Sequence, residues 1–415
     1  MKKAVIAGAG MAGCEAALQL ANAGYDVTVY DNKNLGESRL YRTSNYGELI
    51  CMNSLGGIEA SMASGLCRIE LEHLGSRMLE IARECRIEDP KFFRVNKARF
   101  SELATEKLAC SGVKIVQKEI IDIPEGDVVL FATGPNTNME LLRNLSGRFD
   151  RQPYFTSSAC CPALYENSID FQHESVRRID ERRYAVEIPV SVFEEIIRAL
   201  ATTEPTHMHE IDLDIDLSTH VPVEKTAKEN IPALKEKFLN PKTGSYELIL
   251  EKDCVLYGVY NVVGFYTRIG VLLQRTLLRM IPALEQAVFA RYGLMHKDTY
   301  FYSPGFLNQY FRIKKSAQPI YIIGQLSGCD GYLRAFASAI IAANNILYGD
   351  IPLSEETMAG GLARFISNEK MEDYQPISAT YGLIKHYTDP EAQEKKSVAM
   401  IQEYNSSCVL RKGTV

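Results

Sequence analysis

The stretch KAVIAGAGMAGCEAALQLANAGYDVTVYD, Lys3 to Asp31, decides the fold. Lys3 to Ala7 read as a buried strand, and Gly8-Ala9-Gly10-Met11-Ala12-Gly13 as the turn that follows it. Glu15 to Ala23 carry helical spacing at Ala16, Ala17 and Leu20, and Gly24 sits where a helix stops. Asp26 to Tyr30 form a second strand that ends at Asp31. Each glycine has a separate task. Gly8 allows the tight turn, Gly10 lets backbone approach a pyrophosphate, and Gly13 lets the helix pack on the strand. The helix N-terminus then faces the phosphates, and Asp31 is placed to accept ribose hydroxyls. Strand, turn, helix, strand and terminal acid agree on a dinucleotide site.

Two later stretches favour FAD over NAD. GDVVLFATGPNTN is a strand running into Ala132, Thr133, Gly134 and Pro135, the place where FAD-binding folds of the glutathione-reductase type return to the nucleotide. QPIYIIGQLSGCDGYLRAFASAIIAANNIL repeats the first arrangement, with a strand at Tyr321 to Ile323, a turn from Gly324 to Gly331 and a long apolar helix from Leu333. Gly324, Gln325, Gly328, Gly331 and Tyr332 join the cofactor set. A second helix N-terminus aimed at one dinucleotide suits a flavin closed in by both chain ends.

Composition sets bounds on the rest. The 415 residues are 46% hydrophobic and 24% charged with a formal net charge of −6, ordinary for a globular protein of two or three domains. No global basic field advertises nucleic acid, so such a partner must meet a local patch. No signal peptide is read at Met1-Lys2-Lys3, and no apolar run is long enough to span a bilayer. Ten cysteines without metal spacing read as reduced thiols. The expectation is a cytoplasmic protein with no structural metal and no membrane partner; no oligomeric state is assigned.

Between the nucleotide segments, from about Asp170 to Ala290, alternating stretches such as RRYAVEIPVSVF and SYELILEKD are separated by helices. The expected organisation is a discontinuous FAD-binding domain (1–165 and 296–415) carrying an inserted α+β domain (166–295). Pro241 to Gly244, PKTG, reads as a hairpin-like turn, and a charged helix begins near Asp389. The stretch ELICMNSLGG, Glu48 to Gly57, holds a thiol in an unusual place: Ile50 ends a short strand, Asn53, Ser54, Gly56 and Gly57 read as loop, and Cys51 stands at the junction.

With these pieces in place the chain resembles the folate/FAD-dependent tRNA (uracil-5-)-methyltransferase family. The resemblance runs through GAGMAGCEAA, GELICMNSL, ATGP, SIDF, YNVVGFYTR and GQLSGCDGY. Its most specific block is RMIPALEQAVFARYGLMHKDTYFYSP, Arg279 to Pro304. It implies an α/β, glutathione-reductase-type flavoprotein that takes a methylene group from 5,10-methylenetetrahydrofolate and forms 5-methyluridine in structured RNA. NAD(P)H would be the reductant, and the RNA would be tRNA by default or 23S ribosomal RNA. Cys51 matches one of the family's two functional cysteines: thiolate addition at C6 of uracil would activate C5. His220, in THVPVEKTA, stands where the second cysteine is expected and could serve as the base. Asn53, Ser54, Arg291, Tyr292, His296 and Lys297 are the expected substrate-side residues.

The chain also departs from the pattern. The family's GPMKPVGL stretch is replaced by IPALKEKFLN, GYVES by Gly331-Tyr332-Leu333-Arg334-Ala335, and an acid by Ser158. These changes suit an altered RNA target. They also keep open a flavoprotein oxidoreductase without methyl transfer, or a non-catalytic FAD-containing RNA-binding protein. Basic candidates for RNA are Arg177, Arg178, Arg182, Arg183, Lys225, Lys228, Arg312, Lys314 and Lys315.

Overall fold

A computed structural model describes the chain apart from residues 34, 36–42, 51–52, 206–220, 253–257, 371–373, 375, 388 and 413–415, and apart from the side chains of 155–160, 290–291, 294, 296–297 and 412. It divides into two compact units, Met1–Phe155 with Thr299–Val415, and Thr156–Asp298.

The first unit opens with β1 (Lys3–Ala7), α1 (Met11–Asn22) and β2 (Asp26–Asp31). Ala4 to Ala7 are buried, as a central parallel strand covered on both faces must be. After β2 come β3 (Ser54–Gly57), α2 (Ala63–His73), α3 (Arg77–Glu84), β4 (Arg86–Ile87), β5 (Phe92–Val95) and α4 (Lys97–Cys110). β6 (Lys114–Gln117), β7 (Val128–Phe131) and α5 (Met139–Phe149) complete this part. β1 pairs in parallel with β2 on one side and β7 on the other, aligning Ala7 with Tyr30 and Phe131. Because α1 carries the chain one way from β1 while β7 lies on the opposite side, β1 marks a topological switch point. Ligands of open α/β sheets bind at the strands' carboxyl ends there. A small sheet of β3, β5 and β4 packs beside it.

The stretch around Cys51 folds differently from its reading. Glu48 to Ile50 are not a strand, and the small residues Ser54 to Gly57 are one, paired antiparallel with β5. Close packing explains the inversion. A Cβ on Gly56 would lie 2.9 Å from a methyl of Leu333, and one on Gly57 2.4 Å from Met62. The strand is made of small residues because neighbouring helices press on it.

The second unit follows β8 (Pro153–Cys160), along which the chain leaves the first. It holds β9 (Ala163–Tyr165), β10 (Val176–Arg178), β11 (Arg183–Ile188), α6 (Val190–Thr202), α7 (Val223–Glu229) and α8 (Ile231–Phe238). β12 (Tyr246–Lys252), β13 (Val259–Val263), α9 (Val271–Arg279) and β14 (Phe289–Arg291) follow, and β15 (Leu294–Phe301), paired with β8, returns the chain. Six strands form an antiparallel sheet in the order β10-β11-β12-β13-β9-β14. Its separate core includes Val186, Ile196, Leu200, Leu248, Val262 and Leu277. Pro241–Gly244 is the expected hairpin-like turn: Leu239 and Tyr246 form an antiparallel bridge across it, and Asn240 N donates to Ser245 O and Gly244 N to Asn240 O, each at 2.8 Å.

Back in the first unit, β16 (Ile320–Ile322) adds to β7 in parallel, giving the order β16-β7-β1-β2-β6. A 3-10 turn at Gly324–Ser327 leads to α10 (Tyr332–Tyr348), followed by α11 (Met358–Ser367) and α12 (Pro390–Lys412). α10 is buried along most of its length among Phe336, Ile340 and Ile341. Among the described residues no helix is long and apolar enough to cross a membrane.

Candidate cofactor and active site

The first turn is shaped by backbone meeting backbone. At Gly8, φ is +99° and a Cβ would stand 2.5 Å from Ala132 O; at Gly13 a Cβ would stand 1.9 Å from Gly8 O. No side chain fits at either position. Gly10 differs, since a Cβ there would meet nothing within 4 Å. Its bareness leaves an open approach to the start of α1, whose N-cap supplies no side-chain acceptor. The free N–H groups of that first turn form an anion site. Met11 and Ala12 begin the helix there, four residues earlier than the expected start at Glu15. Asp31 lies across the turn: its carboxylate accepts from Ala9 N at 2.6 Å and Lys33 N at 2.8 Å. Each oxygen keeps a lone pair for a hydroxyl.

The loop after β7 comes to the same place. Ala132 faces Gly8 and Gly13, and a Cβ on Gly134 would meet nothing within 4 Å. Thr133 and Thr137 share a 2.6 Å hydroxyl contact that ties the loop to itself. Thr299 N donates to Pro135 O at 3.0 Å. The Thr299 hydroxyl is fully buried with no partner among the described residues, so a polar group beside this loop has unspent hydrogen-bonding capacity there.

The second glycine turn converges on the first. A Cβ on Gly324 would lie 3.1 Å from the Ala12 methyl, so α10 begins beside the start of α1. α10, like α1, has a glycine N-cap, Gly331, without side-chain capping. Gln325 and Tyr332 are half-buried at this turn. Gly328 has a tertiary reason to be glycine: a Cβ would clash with the hydroxyl of Tyr374, which donates to Ser327 O. Arg334, in the first turn of α10, folds back over Gly331 and donates from Nε to Asp330 O at 2.6 Å. Two uncapped helix starts, an open Gly10, Asp31 and an unspent buried hydroxyl together fit a flavin dinucleotide.

Cys51 lies outside the described residues, but its flanks are held firmly. Lys33 and Glu48 form a buried ion pair at 2.7 Å, with side chains 4% and 7% exposed. Lys33 also donates to Asn45 O. Lys97 Nζ donates to Ile50 O at 3.1 Å, and Val95 N to Asn53 O at 2.9 Å. The Asn53 side chain accepts from Arg94 at 3.1 Å, while Ser54 is buried and donates to Gly56 O at 3.3 Å. Both polar groups therefore hold the loop, and Gly56 brings it against Leu333 at the start of α10. No spacing rule marks Lys33, Glu48 and Arg94 in the sequence, because their partners are not set by a helical or strand period.

Among the described thiols near these turns, burial works against reactivity. Cys14 is pushed far up and Cys67 and Cys329 up to about 12, with Arg334 drawing the latter two partly back. These thiols stay protonated at neutral pH.

The second unit contains the remaining expected positions. His220 lies outside the described residues. Just beyond it, Val223 N donates to Tyr266 O at 2.8 Å, and buried Glu224 accepts from Thr267 Oγ1 at 2.7 Å and Arg268 N at 2.8 Å. The VPVEK and YTR motifs are thus one knot. Tyr292 stacks on Phe289 at 4.6 Å; the side chains of Ser158, Arg291, His296 and Lys297 are not described. Of the basic runs, Arg177 pairs with Glu247, Arg183 with Asp180, Lys228 with Glu204 and Lys225 with Glu229, which leaves much of that charge locally answered.

A parallel sheet with a glycine turn after its first strand, an acid closing the second and a convergent turn from its last strand defines an FAD-binding Rossmann-type α/β protein with an inserted α+β unit. The family model described as glucose inhibited division protein A matches residues 3–349. The methylenetetrahydrofolate–tRNA-(uracil-5-)-methyltransferase TrmFO of Carboxydothermus hydrogenoformans is 31% identical over 422 residues, covering 97% of both chains. That of Caldicellulosiruptor bescii is 30% identical over 426 residues with the same coverage. The solved structure of Aquifex aeolicus GidA (form II crystal) superposes with a TM-score of 0.59 at 18% identity, over 97% of this chain and 73% of the other, and shares the fold. The chain belongs to the glucose inhibited division protein A family, as a TrmFO-like member.

Proposed function

We propose that the chain is an FAD- and 5,10-methylenetetrahydrofolate-dependent enzyme that methylates C5 of a uridine in RNA, with tRNA as substrate and NAD(P)H as reductant. One observation supports the reading: the residues on either side of Cys51 are anchored, Ile50 by Lys97 and Asn53 by Val95, and Gly56 packs against Leu333 at the start of α10, where two uncapped helix N-termini meet. The tRNA-(uracil-5-)-methyltransferases to which the chain is similar supply the substrate class.

Gly8, Gly10 and Gly13 with Asp31 hold the dinucleotide, the uncapped N–H groups taking the diphosphate and the carboxylate taking ribose hydroxyls. The bound flavin, when reduced, supplies the hydride that turns a methylene into a methyl group. Cys51 as thiolate adds to C6 of uracil and makes C5 nucleophilic toward the methylene carbon. A base, assigned to His220, then removes the C5 proton as the bond from the methylene carbon to the folate nitrogen breaks and releases tetrahydrofolate; hydride reaches the exocyclic methylene so formed, and departure of the thiolate restores the ring.

The test uses purified protein with its flavin, methylenetetrahydrofolate, NADPH and separate tRNA and ribosomal RNA fractions lacking 5-methyluridine. Folate-dependent 5-methyluridine in tRNA is expected, and Cys51→Ala abolishes it while flavin absorbance stays. Flavin reduced by NADPH with no 5-methyluridine in either fraction defeats the reading in favour of an oxidoreductase; product only in ribosomal RNA changes the substrate.

A further inference from the structure

We infer that the first unit carries an RNA-docking face at the C-terminal end of α5, separate from the basic runs of the second unit. Tyr154 is 47% exposed, an unusual state for a ring already in aromatic contact with Tyr302 at 5.7 Å and Tyr300 at 6.0 Å. Its backing is rigid, because Tyr302 also packs on buried Tyr374, and Arg151 lies over Tyr302 at 5.8 Å and Phe306 at 5.6 Å. Phe306 in turn contacts Phe149 at 6.1 Å. Phe149 lines a cleft of about 560 Å³ with Arg148, Asp150, Lys315 and Gln318. Arg148 and Lys315 are exposed and form no ion pair among the described residues. Asp150 is the one acid lining the cleft.

A supported but exposed ring, linked through Tyr302, Arg151, Phe306 and Phe149 to a wide cleft that carries Arg148 and Lys315, offers the chemistry of single-stranded RNA: a base stacks on the ring and phosphates meet the cations. In a chain of net charge −6, such a surface is what a polyanion must find. This inference rests on RNA being the substrate and adds where an unpaired segment of it is held.

Binding of fluorescent oligouridine and of bulk tRNA to the flavin-loaded protein, measured against salt concentration, tests it. Tyr154→Ala is expected to weaken oligouridine binding about tenfold with an unchanged salt slope, and Tyr154→Phe to restore it. The pair Arg148→Glu and Lys315→Glu is expected to lower the slope of log affinity on log salt by about 1.4, two phosphates at about 0.7 each. Wild-type affinity that all these variants retain, at constant flavin content and melting temperature, overturns the inference and leaves methylation standing. Poly-glutamate competing as well as oligouridine at equal charge also overturns it, in favour of an acidic protein partner. A wild-type protein with no RNA affinity overturns it together with the methylation reading.

Discussion

A single methyl group tests the first turn. In Gly13→Ala the new Cβ would meet Gly8 O at 1.9 Å, and the helix cannot back away without opening the sheet. The expected cost is about 1–3 kcal/mol together with loss of flavin, read by thermal unfolding and by absorbance of the purified protein. Lys33→Met leaves Glu48 charged and buried, and removing one partner of such a pair costs about 3–5 kcal/mol. The double change Lys33→Met with Glu48→Leu is expected to recover much of that loss in denaturant unfolding. The two sites differed in legibility. Gly8, Gly10 and Gly13 serve backbone geometry within one turn, so their spacing speaks for itself. Lys33 and Glu48 meet although fifteen positions apart with no periodic element to pair them in sequence, and Gly328 is glycine because Tyr374 arrives from far along the chain. Those reasons exist only after folding.

At the level of elements, Glu70 joins two helices. It is buried in α2 and accepts from Met358 N at 2.8 Å and Ala359 N at 2.9 Å, capping α11. Burial raises its carboxyl to about 7 although these N–H groups pull it down. The folded state therefore holds this proton more tightly than the unfolded chain. The group's contribution is full below about pH 4.5 and declines as pH rises to about 7, by about 3 kcal/mol in all. In Glu70→Gln that slope disappears, so the stability of wild type relative to the variant falls between pH 4.5 and 7, measured by denaturant unfolding across pH. Helices and strands with a strong period, such as α10 and β1, were plain from sequence. ELICMNSLGG was read inside out because Gly56 and Gly57 carry turn propensity while the helices packed on them require small residues in a strand. Tertiary packing overrode local preference there.

At the level of the molecule, each unit has its own core, and the chain crosses between them along two paired strands, β8 and β15. Joining Phe155 to Thr299 through a short Gly-Ser bridge is expected to leave a first unit that still takes up flavin, checked by absorbance, but forms no 5-methyluridine. The alternating stretches of sequence from about Asp170 to Ala290 fall within the compact unit Thr156–Asp298. The chemistry of that unit was not legible in them, because a sheet of this kind serves many functions.

The sheet order β16-β7-β1-β2-β6 bears on biosynthesis. The strand that closes the nucleotide crevice is separated from its neighbour β7 by the whole inserted unit, so a ribosome releases Thr156–Asp298 before it releases β16. The insertion can therefore finish folding while the nascent N-terminal half still lacks an edge strand and the α10 turn. The nucleotide crevice is thus complete only once the segment through α10 has left the ribosome.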